Sequence, residues 1–134
     1  MIRILLDTSA YSAFFRGHEE IKQALQQAEE IYLNPVIIGE LKAGFLKGKD
    51  KKKNERLLQE FLASPRVKVL TVDEDTSDRY AVIWNTLRLS GTPITTNDLW
   101  IAASAMQYGL TVVTTDSDFS KVSSVLVTLF PPVK

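Results

Sequence analysis

Short apolar runs alternate with segments of helical periodicity along this chain. Five runs rich in leucine, isoleucine, valine or threonine predict strands over residues 2–6, 31–33, 67–72, 110–114 and 125–129. Between them, apolar residues recur at helical spacing, as in Ile21, Ala24, Leu25 and Ala28. This spacing predicts helices over 10–15, 19–30, 36–46, 55–63, 73–90 and 97–108, a loop or solvated helix start over 48–54, and a turn or short helix over 116–122.

The order of these elements predicts the fold class. Strands that alternate with helices form a three-layer α/β domain, with right-handed crossovers and a central, mostly parallel sheet of about five strands flanked by helices. The runs 2–6 and 110–114 are the most apolar, so we expect them at the centre of the sheet. A chain of 134 residues fits a single domain over 1–134.

Composition limits the chemistry. Apolar residues make up 45% and charged residues 24% of the chain, which is ordinary for a globular protein. The absence of cysteine excludes disulfides and thiolate sites, and the single histidine, His18, excludes two-histidine zinc sites. We expect His18 to be exposed or to cap a helix. Catalysis therefore has to use carboxylates, hydroxyls, amides, lysine or arginine.

The sequence also carries expectations about location and charge. No apolar run approaches the ~20 residues that span a bilayer, and Asp7 interrupts the N-terminal run too early for a signal peptide. We therefore expect a cytoplasmic protein with no membrane partner. The 16 basic and 16 acidic residues give a net charge of zero, so any attraction for nucleic acid must come from segregated charge.

Four acids are expected at one edge of the sheet. Asp7 and Asp116 follow the predicted strands 2–6 and 110–114. Asp98 lies in the first turn of the helix that leads into 110–114, and Glu40 lies early in the helix after 31–33. Helices that alternate with parallel strands begin at the carboxyl edge of the sheet, where ligands bind. Topology therefore gathers the four carboxylates there.

Each acid also has a purely structural explanation, such as helix capping for Asp7, a helix-dipole role for Asp98 or a turn for Asp116. The convergence of all four acids on one edge has no such structural explanation, because clustered carboxylates repel one another. A bound cation would relieve the repulsion. Because all the available ligands are oxygen atoms, the expected ion is a hard one, Mg²⁺ or Mn²⁺. Such a site suits phosphodiester hydrolysis, in which the metal helps to generate the attacking hydroxide.

Four segments carry a family resemblance: LLDTS at 5–9, PVIIGEL at 35–41, TNDLWIAASA at 96–105 and VTTDSDF at 113–119. In this order they resemble the successive motifs of PIN-domain ribonucleases, above all the VapC-type toxins of toxin–antitoxin pairs. The resemblance covers essentially the whole chain. It implies a cytoplasmic, divalent-metal endoribonuclease that cuts tRNA or rRNA. It also implies a homodimer, with a higher toxin–antitoxin assembly as an alternative, inhibited by a cognate antitoxin.

The resemblance assigns roles to individual residues. The catalytic quartet is Asp7, Glu40, Asp98 and Asp116. Asp7 and Asp98 touch the metal most directly, and Glu40 and Asp116 complete the pocket through water or a second ion, with Asp116 counted among the metal residues. Asp118 competes with Asp116 for the last position, and we favour Asp116 because it is nearer the strand end. Three further residues have helix capping as their alternative: Thr8 and Ser9, which could bind a metal-bound water or a phosphate, and Asn97, which could orient an acid.

Two other groups suggest contacts with partners. Basic residues between 47 and 56 could follow an RNA backbone, or form a solvated loop and helix start; the candidates are Lys49, Lys51, Lys52 and Lys53. The aromatic residues after the first motif could line a groove for a partner peptide, or pack in the core; they are Tyr11, Phe14 and Phe15. We expect Trp84 and Trp100 in the core or at a dimer contact.

Two other functions fit the same fold. One is a non-catalytic, metal-holding binding module, which metal-dependent RNA cleavage would distinguish from the nuclease. The other is a phosphate-handling domain of the receiver or phosphatase kind. The segment Asp7-Thr8-Ser9 argues against the latter, because it lacks the second acid of the Asp-x-Asp pair that phosphatases use. The RNA cut, the number of metal ions and the antitoxin are left open by the sequence.

Overall fold

The computed structural model describes residues 1–133 of the protein. Its strands are β1 (Arg3–Leu6), β2 (Glu30–Leu33), β3 (Val67–Val69), β4 (Thr111–Thr114) and β5 (Val127–Leu129). Its helices are α1 (Thr8–Phe15), α2 (Glu19–Gln27), α3 (Pro35–Lys47), α4 (Lys51–Leu62), α5 (Glu74–Ser90) and α6 (Thr96–Tyr108), and a 3₁₀ helix spans Ser117–Lys121. None of the helices in 1–133 is long and apolar enough to cross a membrane.

The five strands form one sheet in the order β3-β2-β1-β4-β5, and all four pairings are parallel. This confirms the predicted three-layer α/β fold, with β1 at the centre and β4 beside it. From β1 the chain first moves outward to β2 and β3, and then continues on the other side of β1 with β4 and β5. The strand order therefore reverses between β1 and β4, and their carboxyl ends flank the crevice where such folds bind ligands.

Local sequence explains where the helices start and stop. Asn34 caps α3 by accepting a hydrogen bond from the Ile37 amide at 2.9 Å, and Pro35 occupies the first turn. The helices α5 and α6 end at Gly91 and Gly109, whose φ angles of 69° and 66° favour glycine. The Asn34 amide group also donates to the Ser104 hydroxyl at 2.9 Å, which joins α3 to α6 in the interior.

The three largest differences from the predicted element boundaries are the start of α4 and the ends of β3 and α2. Helix α4 begins at Lys51 rather than at residue 55, because lysine is a good helix former and Lys51 pairs with Glu55 one turn later at 2.9 Å. Lys51, Lys52 and Lys53, which were predicted in a loop or a solvated helix start, therefore form the first turn of α4. Strand β3 ends at Val69 instead of residue 72, and α2 ends at Gln27 instead of residue 30.

The core lies on both faces of the two central strands. Leu5, Leu6, Val112 and Val113 are almost completely inaccessible to solvent. Strands buried on both faces are continuously apolar, which is why these segments show no alternation. Within residues 1–133, every buried side-chain nitrogen or oxygen has a hydrogen-bond partner. The core therefore provides a fixed frame for the polar groups at its carboxyl edge.

Candidate active site

Asp7 lies directly after β1 and is 3% exposed. Its Oδ1 accepts the Ala10 amide at 2.8 Å, so Asp7 does cap α1. The Ser9 hydroxyl donates to the same carboxylate, with its oxygen 2.8 and 3.0 Å from the two carboxylate oxygens. Burial raises the pKa of Asp7, although the bonds from Ala10, Thr114 and Ser9 oppose this rise. The Asp7 carboxyl is thus held rigidly in the crevice.

Thr114 links Asp7 to Asp116. Leu6 pairs with Val113 in the register of β1 and β4, and one step further along are Asp7 and Thr114. The Thr114 hydroxyl donates to Asp7 Oδ2 at 2.7 Å and accepts the Asp116 amide at 2.8 Å. The sequence motifs did not single out this residue. One sequence signal could have identified Thr114. It is a polar residue at the end of a largely apolar strand, and the neighbouring strand β1 is followed by an acid, Asp7.

Three carboxylates meet beside this link. Asp98 lies in the first turn of α6, whose cap is Thr95, and Asp116 and Asp118 lie at the start of the 3₁₀ helix. One oxygen from each of the three lies within 4.8 Å of the others. The structure thus places both Asp116 and Asp118, the two candidates for the last acidic position, next to Asp98.

Asp98 interacts electrostatically with the other three acids of the predicted quartet. The pKa of Asp98 is raised to about 6, first by burial and then by the negative charges of Asp116, Glu40 and Asp7. A carboxylate next to three other acids is poorly stabilised as an anion in the metal-free protein. The four predicted acids are therefore close enough for their charges to interact.

Glu40 is held from two sides. Its Oε1 accepts the Thr8 hydroxyl at 2.6 Å, and its Oε2 accepts the Asn97 side-chain amide at 3.2 Å. Thr8 and Asn97 therefore position an acid, whereas Asp7 and Thr95 provide the helix caps. Asn97 makes the contact that its predicted orienting role requires, and the role itself stays a prediction. For Thr8, the structure shows a contact with Glu40.

The other predicted residues lie outside this acidic cluster or at its rim. A groove of about 370 Å³ between α1, α3 and α4 includes Glu40, Tyr11 and Phe15 in its lining. Phe14 lines a separate apolar groove. The side chains of Lys49, Lys51, Lys52 and Lys53 are exposed and contribute to neither groove.

The remaining candidates have structural contacts. His18 caps α2 through the Ile21 amide, as expected, and its Nε2 lies 2.8 Å from the Pro131 carbonyl oxygen. Trp84 is 49% exposed, with the Arg88 guanidinium over its ring, so it is not in the core and the dimer contact stays a prediction. Trp100 is partly buried and stacks on Tyr80.

The donor set fits a hard divalent cation. The clustered groups offer only carboxylate oxygens, which Mg²⁺ and Mn²⁺ prefer over softer metals. Their mutual repulsion and partial burial are unfavourable without a cation, as the raised pKa of Asp98 shows. A cation between Asp98 and Asp116 would relieve that repulsion.

Comparison with known proteins agrees with this fold. The family model described as PIN domain matches residues 4–125. Ribonuclease VapC4 of Mycobacterium tuberculosis is 32% identical over 67% of this chain and 69% of the relative. Toxin FitB of Neisseria gonorrhoeae is 35% identical over 85% of this chain and 88% of the relative.

A solved structure gives the same result in three dimensions. It is VapBC-5 from Mycobacterium tuberculosis, a member of the VapBC family of toxin–antitoxin systems, with a TM-score of 0.78 and 29% identity. The match covers 97% of this chain and 100% of that one. The chain therefore belongs to the PIN domain family, as a VapC-type member, which confirms the resemblance of its four motifs.

Proposed function

We propose that residues 1–134 form a single PIN domain that acts as a metal-dependent endoribonuclease and as the toxin of a toxin–antitoxin pair in the cytoplasm. The observation that carries the proposal is the crowding of Asp7, Glu40, Asp98 and Asp116 at the carboxyl edge between β1 and β4. Relatives named as ribonuclease and toxin support the choice of reaction.

In this proposal Asp7, Asp98 and Asp116 hold Mg²⁺, for which Mn²⁺ can substitute, and Asp118 is a secondary ligand beside Asp98 and Asp116. When bound, the cation offsets the negative charge that develops on the phosphate during hydrolysis. Ser9 and Thr114 hold Asp7 in place through the bonds described above. Glu40 is fixed by Thr8 and Asn97 and orients the attacking water, whose proton it accepts.

The proposed substrate is a single-stranded RNA segment, such as a loop of tRNA or rRNA. Unpaired segments expose their backbone and bases to an acidic crevice more readily than a duplex does. The exposed side chains of Lys49, Lys51, Lys52 and Lys53 near the start of α4 are proposed to contact the phosphate backbone. Because the chain as a whole is neutral, these contacts have to be local.

The proposed protein partner is a cognate antitoxin, and the toxin itself is proposed to be a homodimer. VapBC-5, a match over nearly the whole chain, is a member of a toxin–antitoxin family. The groove between α1, α3 and α4 offers apolar surface from Phe15 and an acid, Glu40, while Tyr11 in its lining is buried. It suits a peptide segment that carries apolar side chains and a basic one.

The test is cleavage of total cellular RNA by the purified protein, with Mg²⁺ or Mn²⁺ and with a chelator. We expect cleavage only with the metal, and its loss in Asp7→Asn. Asparagine caps helices as well as aspartate does, so this variant should remain folded. A folded wild-type protein that binds Mn²⁺ but cuts no RNA would favour the non-catalytic binding module instead.

A further inference from the structure

A lysine lies against the acidic cluster. Lys121 Nζ is 3.0 Å from Asp118 Oδ1, and both side chains are a little more than one third exposed. The two residues are three apart in the 3₁₀ helix Ser117–Lys121, where side chains at this spacing lie on the same face. The ion pair therefore follows from the local backbone conformation.

Asp118 belongs to the cluster as well as to the ion pair. Its amide donates to Asp116 Oδ1 at 2.9 Å, and one of its carboxylate oxygens is within 4.8 Å of oxygens from Asp98 and Asp116. A cation that used all three acids would approach the carboxylate that Lys121 already contacts. An ammonium and a divalent cation at one carboxylate repel each other strongly over such short distances.

We propose that Lys121 is a built-in counter-ion that competes with the divalent metal for Asp118 and so sets the metal affinity of the site. The inference rests on the proposed function, because it concerns the same metal. Among residues 1–133, Lys121 is the one basic residue that forms an ion pair with any acid of the cluster, counting Asp7, Glu40, Asp98, Asp116 and Asp118. It weakens metal binding and keeps Asp118 neutralised when the metal is absent.

The experiment is calorimetric titration of metal-free protein with MnCl₂ at low ionic strength. Lys121→Gln should bind Mn²⁺ about threefold more tightly than the wild type, which is the scale of a partly exposed ion pair. Asp118→Asn should remove this gain, so that adding Lys121→Gln to it changes the affinity little. High KCl should reduce the difference between wild type and Lys121→Gln through screening.

The matched control is Lys68→Gln. Lys68 is also partly exposed and also pairs with an acid, Glu30, at 3.6 Å, but that acid lies at the opposite edge of the sheet. The control makes the same change in net charge, and its Mn²⁺ affinity should stay within about 1.5-fold of wild type because the charge is distant. Thermal unfolding of each variant checks that it is folded.

Three results would overturn the inference. Lys121→Gln could bind Mn²⁺ no more tightly than wild type, or it could tighten binding equally in the Asp118→Asn background, which would show a general field effect. If either result is obtained while the wild type still binds Mn²⁺ and cuts RNA, the inference about Lys121 fails and the proposed function stands. A folded wild type that binds no Mn²⁺ would overturn the inference and the metal-dependent function together.

Discussion

The amino edge and the carboxyl edge of the sheet, where the parallel strands begin and end, differ in how their acidic side chains are paired with basic ones. At the amino edge, Glu30 accepts the Arg3 guanidinium at 3.2 Å and lies 3.6 Å from the Lys68 ammonium, so one acid has two basic partners. At the carboxyl edge, Asp118 pairs with Lys121, and within residues 1–133 no ion pair involves Asp7, Glu40, Asp98 or Asp116. The Arg3 side chain also lies over the ring of Tyr32, which completes a neutralised and packed edge.

This difference separates a structural use of charge from a functional one. Ion pairs at a surface contribute little to stability, but they avoid the repulsion that unpaired like charges create. Selection for folding alone would not favour acids that raise one another's pKa, as those around Asp98 do. The carboxyl edge, where acids outnumber their basic partners among residues 1–133, is therefore the place to expect a ligand of opposite charge.

The largest expected effect is on RNA cleavage. Asp98→Asn should reduce metal-dependent cleavage by at least about 100-fold, because it removes charge from the proposed metal site while preserving shape. Glu30→Gln removes an acid at the amino edge and should leave cleavage within about twofold of wild type. Equal losses in the two variants, measured as initial rates on one RNA substrate, would abolish the distinction between the edges.

Metal should also stabilise the native state. Free Mn²⁺ at about 100 times its dissociation constant should add about 2.7 kcal/mol to the free energy of unfolding, since it binds the folded chain alone. Urea denaturation with and without MnCl₂ measures the gain. We expect Glu30→Gln to keep it and Asp98→Asn to lose most of it. A wild-type protein indifferent to millimolar Mn²⁺ contradicts a metal site at the carboxyl edge.

Thr114→Val should lower the free energy of unfolding by about 1–3 kcal/mol. The change leaves Asp7 Oδ2 without its shortest donor and the Asp116 amide without its acceptor. The control is Thr111→Val at the start of the same strand, which should change stability by no more than about 0.5 kcal/mol. Urea denaturation compares them. Similar costs at both positions would show that the hydroxyl bridge between the acids is unimportant.

The smallest expected effect is on pH dependence. The folded pKa of Asp98, about 6, lies above its ordinary value of 3.8, so folding favours the protonated form. The resulting stabilisation is fully present below pH 3.8 and is lost as the pH rises through about 6. At pH 7 without metal, Asp98→Asn should be more stable than wild type by about 1 kcal/mol, after allowance for screening and the helix dipole.

Chemical denaturation in the presence of a chelator, at about pH 4.5 and pH 7, checks this sign. The advantage of Asp98→Asn over wild type should grow as the pH rises. An advantage that shrinks over this range would mean that the Asp98 carboxylate is stabilised as an anion, which contradicts its raised pKa.

Periodicity and topology were sufficient to predict the fold. The runs 2–6 and 110–114 contain consecutive apolar residues, Leu5-Leu6 and Val112-Val113, that are buried without alternation, and that pattern correctly placed these strands at and beside the centre of the sheet. Boundaries were harder where local preference is weak. The lysines that begin α4 favour both a helix and solvent, so residues 51–54 could not be assigned from pattern alone.

Topology also gathered the acids, but it could not provide their contacts. The position of Asp7 after β1 and of Asp98 in the first turn of α6 follows from chain direction. The bridging hydroxyl of Thr114 depends on the register between β1 and β4, which a single sequence does not specify. The contact between Lys121 and Asp118 depends on the 3₁₀ form of a segment predicted only as a turn or short helix.

Anomalous diffraction from a crystal of the protein grown with MnCl₂ would show directly whether the clustered acids at the carboxyl edge bind a cation. We expect a manganese peak at the carboxyl edge between β1 and β4, in contact with carboxylate oxygens of Asp98 and Asp116. A fully ordered crevice with no peak, or a peak only at the amino edge beside Glu30, would contradict a metal site among these acids.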